Sequence, residues 1–226
     1  MERKIITTAD GSKTIHLPGL NEHYHSKHGA INEAKHVFIK SGFDHILSKN
    51  KLGALDIMEI GFGTGLNAFI TFLEAEKIDL PIHYVGVEAY PVTLPEAKLM
   101  NYPEILAVKE KQWIFDEMHQ SLWELPVEIT SNFKLFKRKQ FFADIQDKNS
   151  IDLIYFDAFG ARVQPELWTI EIFRKMYEAL QFKGVLVTYA AKGSVRRAMQ
   201  EVGFVVERLP GPPGKREMLR ATKVES

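Results

Sequence analysis

The sequence predicts an α/β fold, a doubly wound and mostly parallel sheet with a closing antiparallel strand and an N-terminal extension. Three observations predict it. From residue 55 onward, apolar runs of strand length alternate with amphipathic helical stretches, which is typical of a parallel sheet covered by helices. Near the C-terminus, Phe204–Leu209 and Glu217–Thr222 flank a Pro- and Gly-rich run, which predicts an antiparallel pair. The first fifty residues follow neither pattern.

Composition excludes several classes of protein. The chain has 226 residues, with 29 Lys+Arg against 29 Asp+Glu, so its net charge is zero and it is not basic as a whole. It has no cysteine, which excludes disulfides, thiolate metal sites and cysteine nucleophiles. The N-terminus has no apolar leader, and no run reaches the ~20 apolar residues of a membrane span. We expect a cytoplasmic protein without membrane partners.

The predicted elements follow from local patterns. In the extension, residues 1–50, the turn signals Asp10-Gly11 and Pro18-Gly19 predict a hairpin over residues 4–17, and Gly29 to about Leu47 predicts a helix. The second predicted domain spans residues 51–226. Its predicted strands are Leu55–Ile60, His83–Val87, Val127–Phe136, Ile151–Phe156 and Val185–Tyr189. Helices are predicted after Gly65, within residues 91–125, from Pro165 to Gly184, and from a Ser194 cap to Gly203.

A glycine-rich loop joins the first strand of the second domain to its helix. Gly61, Gly63 and Gly65 let the backbone approach a ligand closely, and the helix N-terminus offers free N–H groups. The alternative is a tight turn that binds nothing. Glu88 favours a nucleoside cofactor, since it ends the next strand near the ~20-residue spacing of an acid that binds ribose hydroxyls. Glu59, just before the loop, can attract a cationic ligand.

The spacing of this loop separates two cofactor classes. G-x-G-x-G is not the G-x-G-x-x-G pattern of dinucleotide sites. With Glu59 in front, the loop resembles motif I of class I methyltransferases that use S-adenosylmethionine. That ligand carries a sulfonium and an amino-acid tail instead of a pyrophosphate, so acids at Glu59 and Glu88 suit it better. The resemblance implies S-adenosyl-L-methionine as cofactor and a Rossmann-like fold.

Further segments resemble one family in order along the chain. They are Glu22-His23-Tyr24-His25-Ser26, Phe156-Asp157-Ala158-Phe159, Pro165-Glu166-x-Trp168-Thr169, Thr188 to Arg197 and Gly214-Lys215-Arg216-Glu217-Met218. Together they resemble the methyltransferase domain of the MnmC family of tRNA 5-methylaminomethyl-2-thiouridine biosynthesis proteins. The resemblance implies N-methylation of 5-aminomethyl-(2-thio)uridine at the tRNA wobble position. Because the chain ends before an FAD-dependent oxidoreductase domain, we expect a stand-alone form whose aminomethyl substrate comes from a separate oxidoreductase.

The resemblance also implies site residues. Tyr24 and Ser26 are expected in the cofactor pocket, and Asn67 and Ala158 complete the expected cofactor-binding set. Phe62 and Phe159 extend from the two loops and are candidates to stack on a base, although core packing explains such aromatic residues equally well. The acid that contacts adenine in many relatives is missing after the third strand, where Gln140 or Phe141 can serve instead.

Asp157 is the candidate catalytic residue. It follows the fourth strand, and in a parallel sheet the ligand crevice lies outside the carboxyl ends of the strands. A carboxylate there can orient an amine and accept its proton before the nitrogen attacks the methyl group. The alternative role is a helix cap or a solvated turn.

Two other clusters have competing interpretations. His23, His25 and His28 invite a metal site, but no carboxylate or thiolate completes one and methyl transfer needs none, so no metal is expected. The C-terminal region has an excess of basic residues, which usually form a solvated face. With the resemblance, five of them become candidates for tRNA phosphate contacts: Lys192, Arg196, Arg197, Lys215 and Arg216.

Two alternative functions stay open from sequence. A methyltransferase or aminopropyltransferase acting on a small amine could use Asp157 in the same way. A binding module without catalysis is the non-enzyme alternative, against which Glu88 and Asp157 both argue.

Overall fold

The N-terminal region forms a small sheet and a long helix. The structure is a computed structural model that describes residues 2–49 and 52–224. Three antiparallel strands, β1 (Lys4–Thr7), β2 (Lys13–Leu17) and β3 (Glu22–His23), form the sheet. The helix is α-helical at its ends, α1 (Ala30–Ala34) and α2 (Asp44–Lys49), and π-helical over Lys35–Phe43. The predicted hairpin and helix are confirmed, and the predicted domain boundary at residues 50 and 51 lies outside the described residues.

The remaining strands form one eight-stranded sheet. They are β4 (Leu55–Ile60), β5 (Ile82–Val87), β6 (Pro126–Thr130), β7 (Phe133–Arg138), β8 (Ile151–Phe156), β9 (Leu180–Thr188), β10 (Phe204–Pro210) and β11 (Glu217–Lys223). The order across the sheet is β10-β11-β9-β8-β4-β5-β7-β6. The five strands from β9 to β7 pair in parallel, while β6, β10 and β11 pair antiparallel to their neighbours. The predicted doubly wound sheet with a closing antiparallel strand is confirmed.

Helices cover both faces of this sheet. After α2 they are α3 (Leu66–Lys77), α4 (Leu94–Ala97), α5 (Tyr102–Ile105), α6 (Gln112–Gln120), α7 (Ile170–Ala179) and α8 (Gly193–Glu201). Each face of the sheet packs against its own hydrophobic core. Adjacent residues of β8 contribute to different cores, because successive side chains of a strand point to opposite faces. Tyr155 packs against Phe38 of the N-terminal helix, whereas Phe156 packs against Phe173 of α7. Within the described residues, no helix is both long and apolar enough to span a membrane.

Predictions for the second half of the chain were wrong in detail. The single strand predicted over Val127–Phe136 is the hairpin β6–β7, because the chain reverses at residues 131–132. The segment after Pro165 begins as a 3₁₀ turn, and α7 starts only after Thr169, whose hydroxyl accepts a hydrogen bond from the Ile172 N–H (3.4 Å). Gly184 does not end that helix but lies inside β9.

The predicted cap of α8 was also wrong. Lys192 is the N-cap residue and makes no side-chain capping hydrogen bond, so Ser194 lies inside the first turn. In residues 91–125, the expected amphipathic stretch is three separate helices, α4, α5 and α6, with Pro95 and Pro103 in the first turns of α4 and α5.

Candidate active site

A crevice lies where the strand order reverses between β4 and β8. The chain continues from β4 to β5 in one direction and from β8 to β9 in the other, so the loops after β4 and β8 diverge there. Ligands of open α/β sheets bind at such switch points. The two strand ends are joined by the Asp157 N–H, which donates to the Ile60 carbonyl (2.9 Å). This contact positions Asp157 beside the glycine-rich loop.

The first glycine of the loop is required by that close approach. Gly61 has φ +92°, and a Cβ at this position would lie 2.8 Å from the Asp157 carbonyl oxygen. Any other residue would strain the backbone and displace the end of β8. Gly63 and Gly65 follow directly before α3, whose first turn directs its N–H groups toward the crevice end of the sheet.

Glu88 ties the loop to the end of β5. Its carboxylate accepts hydrogen bonds from the Gly63 N–H (3.1 Å) and from the Tyr90 N–H (2.9 Å). Burial raises the pKa of Glu88, and these hydrogen bonds oppose the increase because they stabilise the charged form. The carboxylate oxygens retain unused lone pairs that ligand hydroxyls can donate to.

One amide joins two further acids. The Asn67 Nδ2 donates to Glu59 Oε1 (2.8 Å) and to Asp157 Oδ2 (2.9 Å). The Tyr84 hydroxyl donates to the second oxygen of Glu59 (2.8 Å). Among the described residues, Asn67 Oδ1 is buried without a hydrogen-bond partner. The cluster therefore offers acceptors and negative charge, but it lacks a cation of its own.

Burial and mutual repulsion make this cluster favour cations. The pKa of Glu59 lies well above its ordinary value because the side chain is buried and because the charge of Asp157 lies nearby. Burial and the charge of Glu33 raise the pKa of Asp157 to about 7, against the Asn67 hydrogen bond and the charge of Lys215. A bound cation would stabilise the ionised forms.

The N-terminal extension covers the glycine-rich loop. The Tyr24 ring lies 3.1 Å from the position of a Cβ on Gly63 and packs edge-on against Phe159, with centroids 5.0 Å apart. Burial raises the pKa of Tyr24 to about 12. Ser26 lies farther along, where its N–H donates to Glu33 Oε2 (2.8 Å). Tyr24 and Phe159 are therefore brought to the loop, whereas Ser26 lies on the wall of a neighbouring cleft.

Phe62 and Ala158 have structural contacts. The Phe62 ring is 3% exposed and packs against Gly86, where a Cβ would lie 2.4 Å from Phe62 Cδ2. Its ring therefore packs inside the fold, whereas the ring of Phe159 is half-buried and contacts Tyr24. Ala158 is buried, and its carbonyl accepts a hydrogen bond from the Tyr189 hydroxyl (2.8 Å).

A cleft of about 750 Å³ opens beyond the end of β8, and the charges of two of its lining residues, Glu33 and Lys215, act on Asp157. Its walls are residues 22–28 and Glu33 of the extension, residues 160–162 after β8, residues 189–192 after β9, and residues 215–217, where the β10–β11 turn meets β11. Three of the five predicted phosphate-binding residues line it: Lys192, Lys215 and Arg216. Arg196 and Arg197 lie on α8 and do not line the cleft.

Sequence reasoning gave no role to Glu33 or Tyr189. Lys215 forms an ion pair with Glu33, and its Nζ lies 3.7 Å from the centroid of the Tyr189 ring. Lys215, which the sequence predicted as a phosphate contact, is therefore engaged inside the cleft with these two residues. The position of Tyr189 directly after a strand could have suggested a site residue, whereas nothing in the sequence distinguishes Glu33.

The histidines of the extension make other contacts. His25 Nδ1 lies 2.8 Å from Thr14 Oγ1, and burial lowers the pKa of His25 to about 4. His23 stacks on His16 with ring centroids 4.3 Å apart. Within residues 2–49 and 52–224, no three His, Asp or Glu side chains are grouped as metal ligands would be.

Comparisons with known proteins agree with this geometry. Residues 105–224 match a family model described as S-adenosyl-L-methionine-dependent methyltransferase. A "tRNA 5-methylaminomethyl-2-thiouridine biosynthesis bifunctional protein MnmC" from Leptospira borgpetersenii is 29% identical over 211 residues, covering 87% of this chain and 31% of the relative. A protein of that name from Polaromonas naphthalenivorans is 26% identical, covering 94% of this chain and 34% of the relative. The chain thus spans about a third of the length of these relatives.

Solved structures share the fold. The crystal structure of MNMC2 from Aquifex aeolicus superposes with a TM-score of 0.77 at 24% identity, covering 99% of this chain and 72% of that one. Spermidine synthase from Thermotoga maritima superposes with a TM-score of 0.53 at 13% identity, covering 97% of this chain and 72% of that one.

Proposed function

Because the chain belongs to the family of S-adenosyl-L-methionine-dependent methyltransferases, we propose that its acceptor is the 5-aminomethyl group of (2-thio)uridine at the tRNA wobble position. The product is 5-methylaminomethyl-(2-thio)uridine. One observation supports this best: a single cleft holds the buried carboxylate Glu33, whose charge acts on Asp157, and has the exposed basic residues Lys192 and Arg216 on its lining. Such a charge distribution complements an ammonium group carried by a polyanion.

The crevice residues fit the cofactor. S-adenosyl-L-methionine supplies a methyl group on a positively charged sulfonium together with an ammonium-bearing tail. Glu88 would bind the ribose hydroxyls with its unused lone pairs. The free amide oxygen of Asn67, next to the buried Glu59, would accept from the ammonium of the tail. Gly61, Gly63 and Gly65 would let the backbone approach the ligand, with Tyr24 and Phe159 above them.

Asp157 would act on the acceptor amine. An aminomethyl group is largely protonated in water, and only its neutral nitrogen can attack. A carboxylate with a pKa of about 7 lies close to neutral pH, which suits a general base. Asn67 holds the carboxylate in place from α3. The remaining contribution is alignment of the amine with the methyl group.

The tRNA would bind across the edge of the cleft. Lys192 and Arg216 are exposed there and would contact phosphates, with Arg196 and Arg197 of α8 extending the surface. The wobble base would have to leave its stack to reach Asp157, as in other enzymes that modify a base. A separate FAD-dependent oxidoreductase would act upstream, because the aminomethyl group must exist before it is methylated.

The competing acceptor is a small amine, so the test compares both. Wild-type protein with methyl-labelled S-adenosyl-L-methionine would be given a tRNA carrying 5-aminomethyluridine, the same tRNA with unmodified uridine, and putrescine. We expect label only in the first. Label in putrescine at a comparable kcat/KM, or in the unmodified tRNA, would contradict the proposal.

A further inference from the structure

The cleft holds a cation between a carboxylate and an aromatic ring. The Lys215 ammonium forms an ion pair with Glu33 and lies 3.7 Å from the centroid of the Tyr189 ring. Glu33 is 6% exposed, and its second oxygen accepts from the Ser26 N–H (2.8 Å). A buried carboxylate beside an aromatic face is a favourable environment for an ammonium group. These contacts are made by the last atoms of the lysine side chain, its CH₂–NH₃⁺ group.

This site adjoins the proposed catalytic carboxylate. The Tyr189 hydroxyl donates to the carbonyl of Ala158, the residue after Asp157 (2.8 Å). The charges of Glu33 and Lys215 both act on Asp157, in opposite directions. An ammonium held by Glu33 and Tyr189 is therefore within electrostatic reach of Asp157.

We propose that Glu33 and Tyr189 bind the primary ammonium group of the acceptor, and that Lys215 occupies this site until the acceptor displaces it. The inference rests on the proposed function, because it assigns a binding site to the aminomethyl substituent of that substrate. The protonated substituent is a CH₂–NH₃⁺ group, the same group that Lys215 places against Glu33 and Tyr189. One cation replaces another, so the buried carboxylate keeps a partner in both states.

Lys215 is positioned to leave. It lies in the turn between β10 and β11, and 32% of its side chain is exposed. Its neighbour Arg216 is exposed at the edge of the cleft. Once displaced, the Lys215 ammonium would join this edge and face the tRNA phosphates. A single residue would thus fill the site before the acceptor binds and contact the tRNA afterwards.

The test uses Lys215→Met, which keeps the unbranched apolar stem and removes the ammonium. Ethylammonium is the probe, and saturation-transfer difference NMR measures its dissociation constant without turnover. A tethered group competes at an effective concentration of about millimolar or higher. We therefore expect Lys215→Met to bind ethylammonium at least about tenfold more tightly than the wild type.

A matched control removes a different cation from the same hairpin. Arg220 lies on β11 and pairs with Glu207 (2.9 Å) instead of with Glu33, and neither residue of this pair lines the cleft. Arg220→Met should bind ethylammonium as the wild type does. Tighter binding by both variants would mean that any loss of positive charge attracts the probe, and would overturn the proposal.

Second substitutions in the Lys215→Met background test the two binding groups. Adding Glu33→Gln or Tyr189→Leu should reverse the gain, whereas Tyr189→Phe, which keeps the ring, should retain it. Melting temperatures would show whether each variant is folded. If the Glu33→Gln variant does not fold, the comparison of Tyr189→Leu with Tyr189→Phe still tests the proposal. Unchanged binding in Tyr189→Leu, or no gain in Lys215→Met, would overturn the proposal.

Failure of this site is distinguishable from failure of the proposed function. If ethylammonium binds as expected and the aminomethyl tRNA is not methylated, the ammonium site stands and the assigned substrate is wrong. If that tRNA is methylated and Lys215→Met gains no affinity for ethylammonium, the function stands and this inference is wrong.

Discussion

Asn67 donates both hydrogens of its amide to carboxylates that would otherwise repel each other. Glu59 and Asp157 each lie within 2.9 Å of this nitrogen, and burial raises the pKa of both. Hydrogen bonds to the charged form oppose that increase. At the scale of single residues, the proposed catalysis would therefore depend on how strongly Asn67 favours the ionised form of Asp157.

Asp157→Asn tests the proposed base. The amide keeps the size of the side chain but cannot accept the proton, so kcat should fall by at least about a hundredfold. Affinity for S-adenosyl-L-methionine, measured by calorimetry, should hardly change. Because the base must be ionised, the wild-type kcat/KM should rise with pH and level off above a pKa of about 7. The variant should lack this limb and partly recover at high pH, where more of the amine is neutral; normal turnover would exclude Asp157 as the base.

Asn67→Ala tests the hydrogen bond from the Asn67 amide to Asp157. Without its hydrogen bond the pKa of Asp157 rises further, so the rising limb of the pH profile should move to higher pH. Thr71→Val is the matched control, because Thr71 lies one turn along α3 and its hydroxyl contacts Tyr155 (3.2 Å) instead of the acids. A limb that stays at the wild-type pH in Asn67→Ala, or moves equally in Thr71→Val, would contradict this role.

At the scale of elements, close contact between β5 and the glycine-rich loop fixes the crevice. The Phe62 ring occupies the space above Gly86 and touches the aromatic side chains of His119 and Trp123 at centroid distances of 6.1 Å. A residue with a side chain on this strand position would push the ring, and the loop with it, out of place. The loop is therefore held in place by the packing of Phe62 on Gly86 and by the hydrogen bond from the Gly63 N–H to Glu88.

Gly86→Ala should damage stability and cofactor binding together. The new Cβ would lie 2.4 Å from Phe62 Cδ2, and overpacking of this kind typically costs about 1–3 kcal/mol. Urea denaturation would measure the loss in the free energy of unfolding, and calorimetry the weaker binding of S-adenosyl-L-methionine. Gly53→Ala, with nothing within 4 Å of its Cβ, should change stability by less than about 0.5 kcal/mol. Equal stability of the two variants would contradict the packing argument.

The elements that the sequence predicted well are those with a local cause. Buried strands such as Ile151–Phe156 show as continuous apolar runs, because helices cover both faces of the sheet. The β6–β7 hairpin was missed, since Ser131 and Asn132 interrupt one run of strand-forming residues without a glycine or proline to mark a turn. Gly184 was misread as a helix stop because only pairing with β8 shows that its segment is a strand.

At the scale of the whole molecule, the net charge is zero but the charged residues are unevenly distributed over the surface. Acidic groups such as Glu22 and Glu33 face the cleft, while Lys192 and Arg216 are exposed at its edge. The extension supplies Glu22 and Glu33, and the turn between the last two strands supplies Arg216. This separation would let one surface bind phosphates while the interior binds an ammonium.

The salt dependence of tRNA binding tests the basic surface. Each phosphate contact releases counterions, so affinity should fall steeply with added salt. Reversing Arg196 and Arg197 to Glu should reduce the slope of log K against log salt by about one per lost contact. Lys109→Glu is the control, because Lys109 pairs with Glu104 (2.9 Å) and does not line the cleft. An unchanged slope in the double variant would remove α8 from the tRNA surface.

The candidate site was only partly predictable from the sequence, because some of its residues lie far apart along the chain. Glu59, Glu88 and Asp157 could be named because each lies at the end of a recognisable strand or next to the glycines. Glu33 and Lys215 are 182 residues apart, and no spacing rule joins them. Their meeting depends on the packing of the N-terminal helix against the sheet, which only the folded chain shows.

Nucleoside mass analysis would show whether the protein methylates the wobble aminomethyl group. A tRNA carrying 5-aminomethyl-2-thiouridine would be incubated with the protein and deuterated-methyl S-adenosyl-L-methionine, then digested to nucleosides. We expect one labelled methyl group on the nitrogen of that wobble nucleoside, and none when Asp157→Asn replaces the wild type at equal time and concentration. Label on a different nucleoside, or an unlabelled wobble nucleoside after complete incubation, would contradict it.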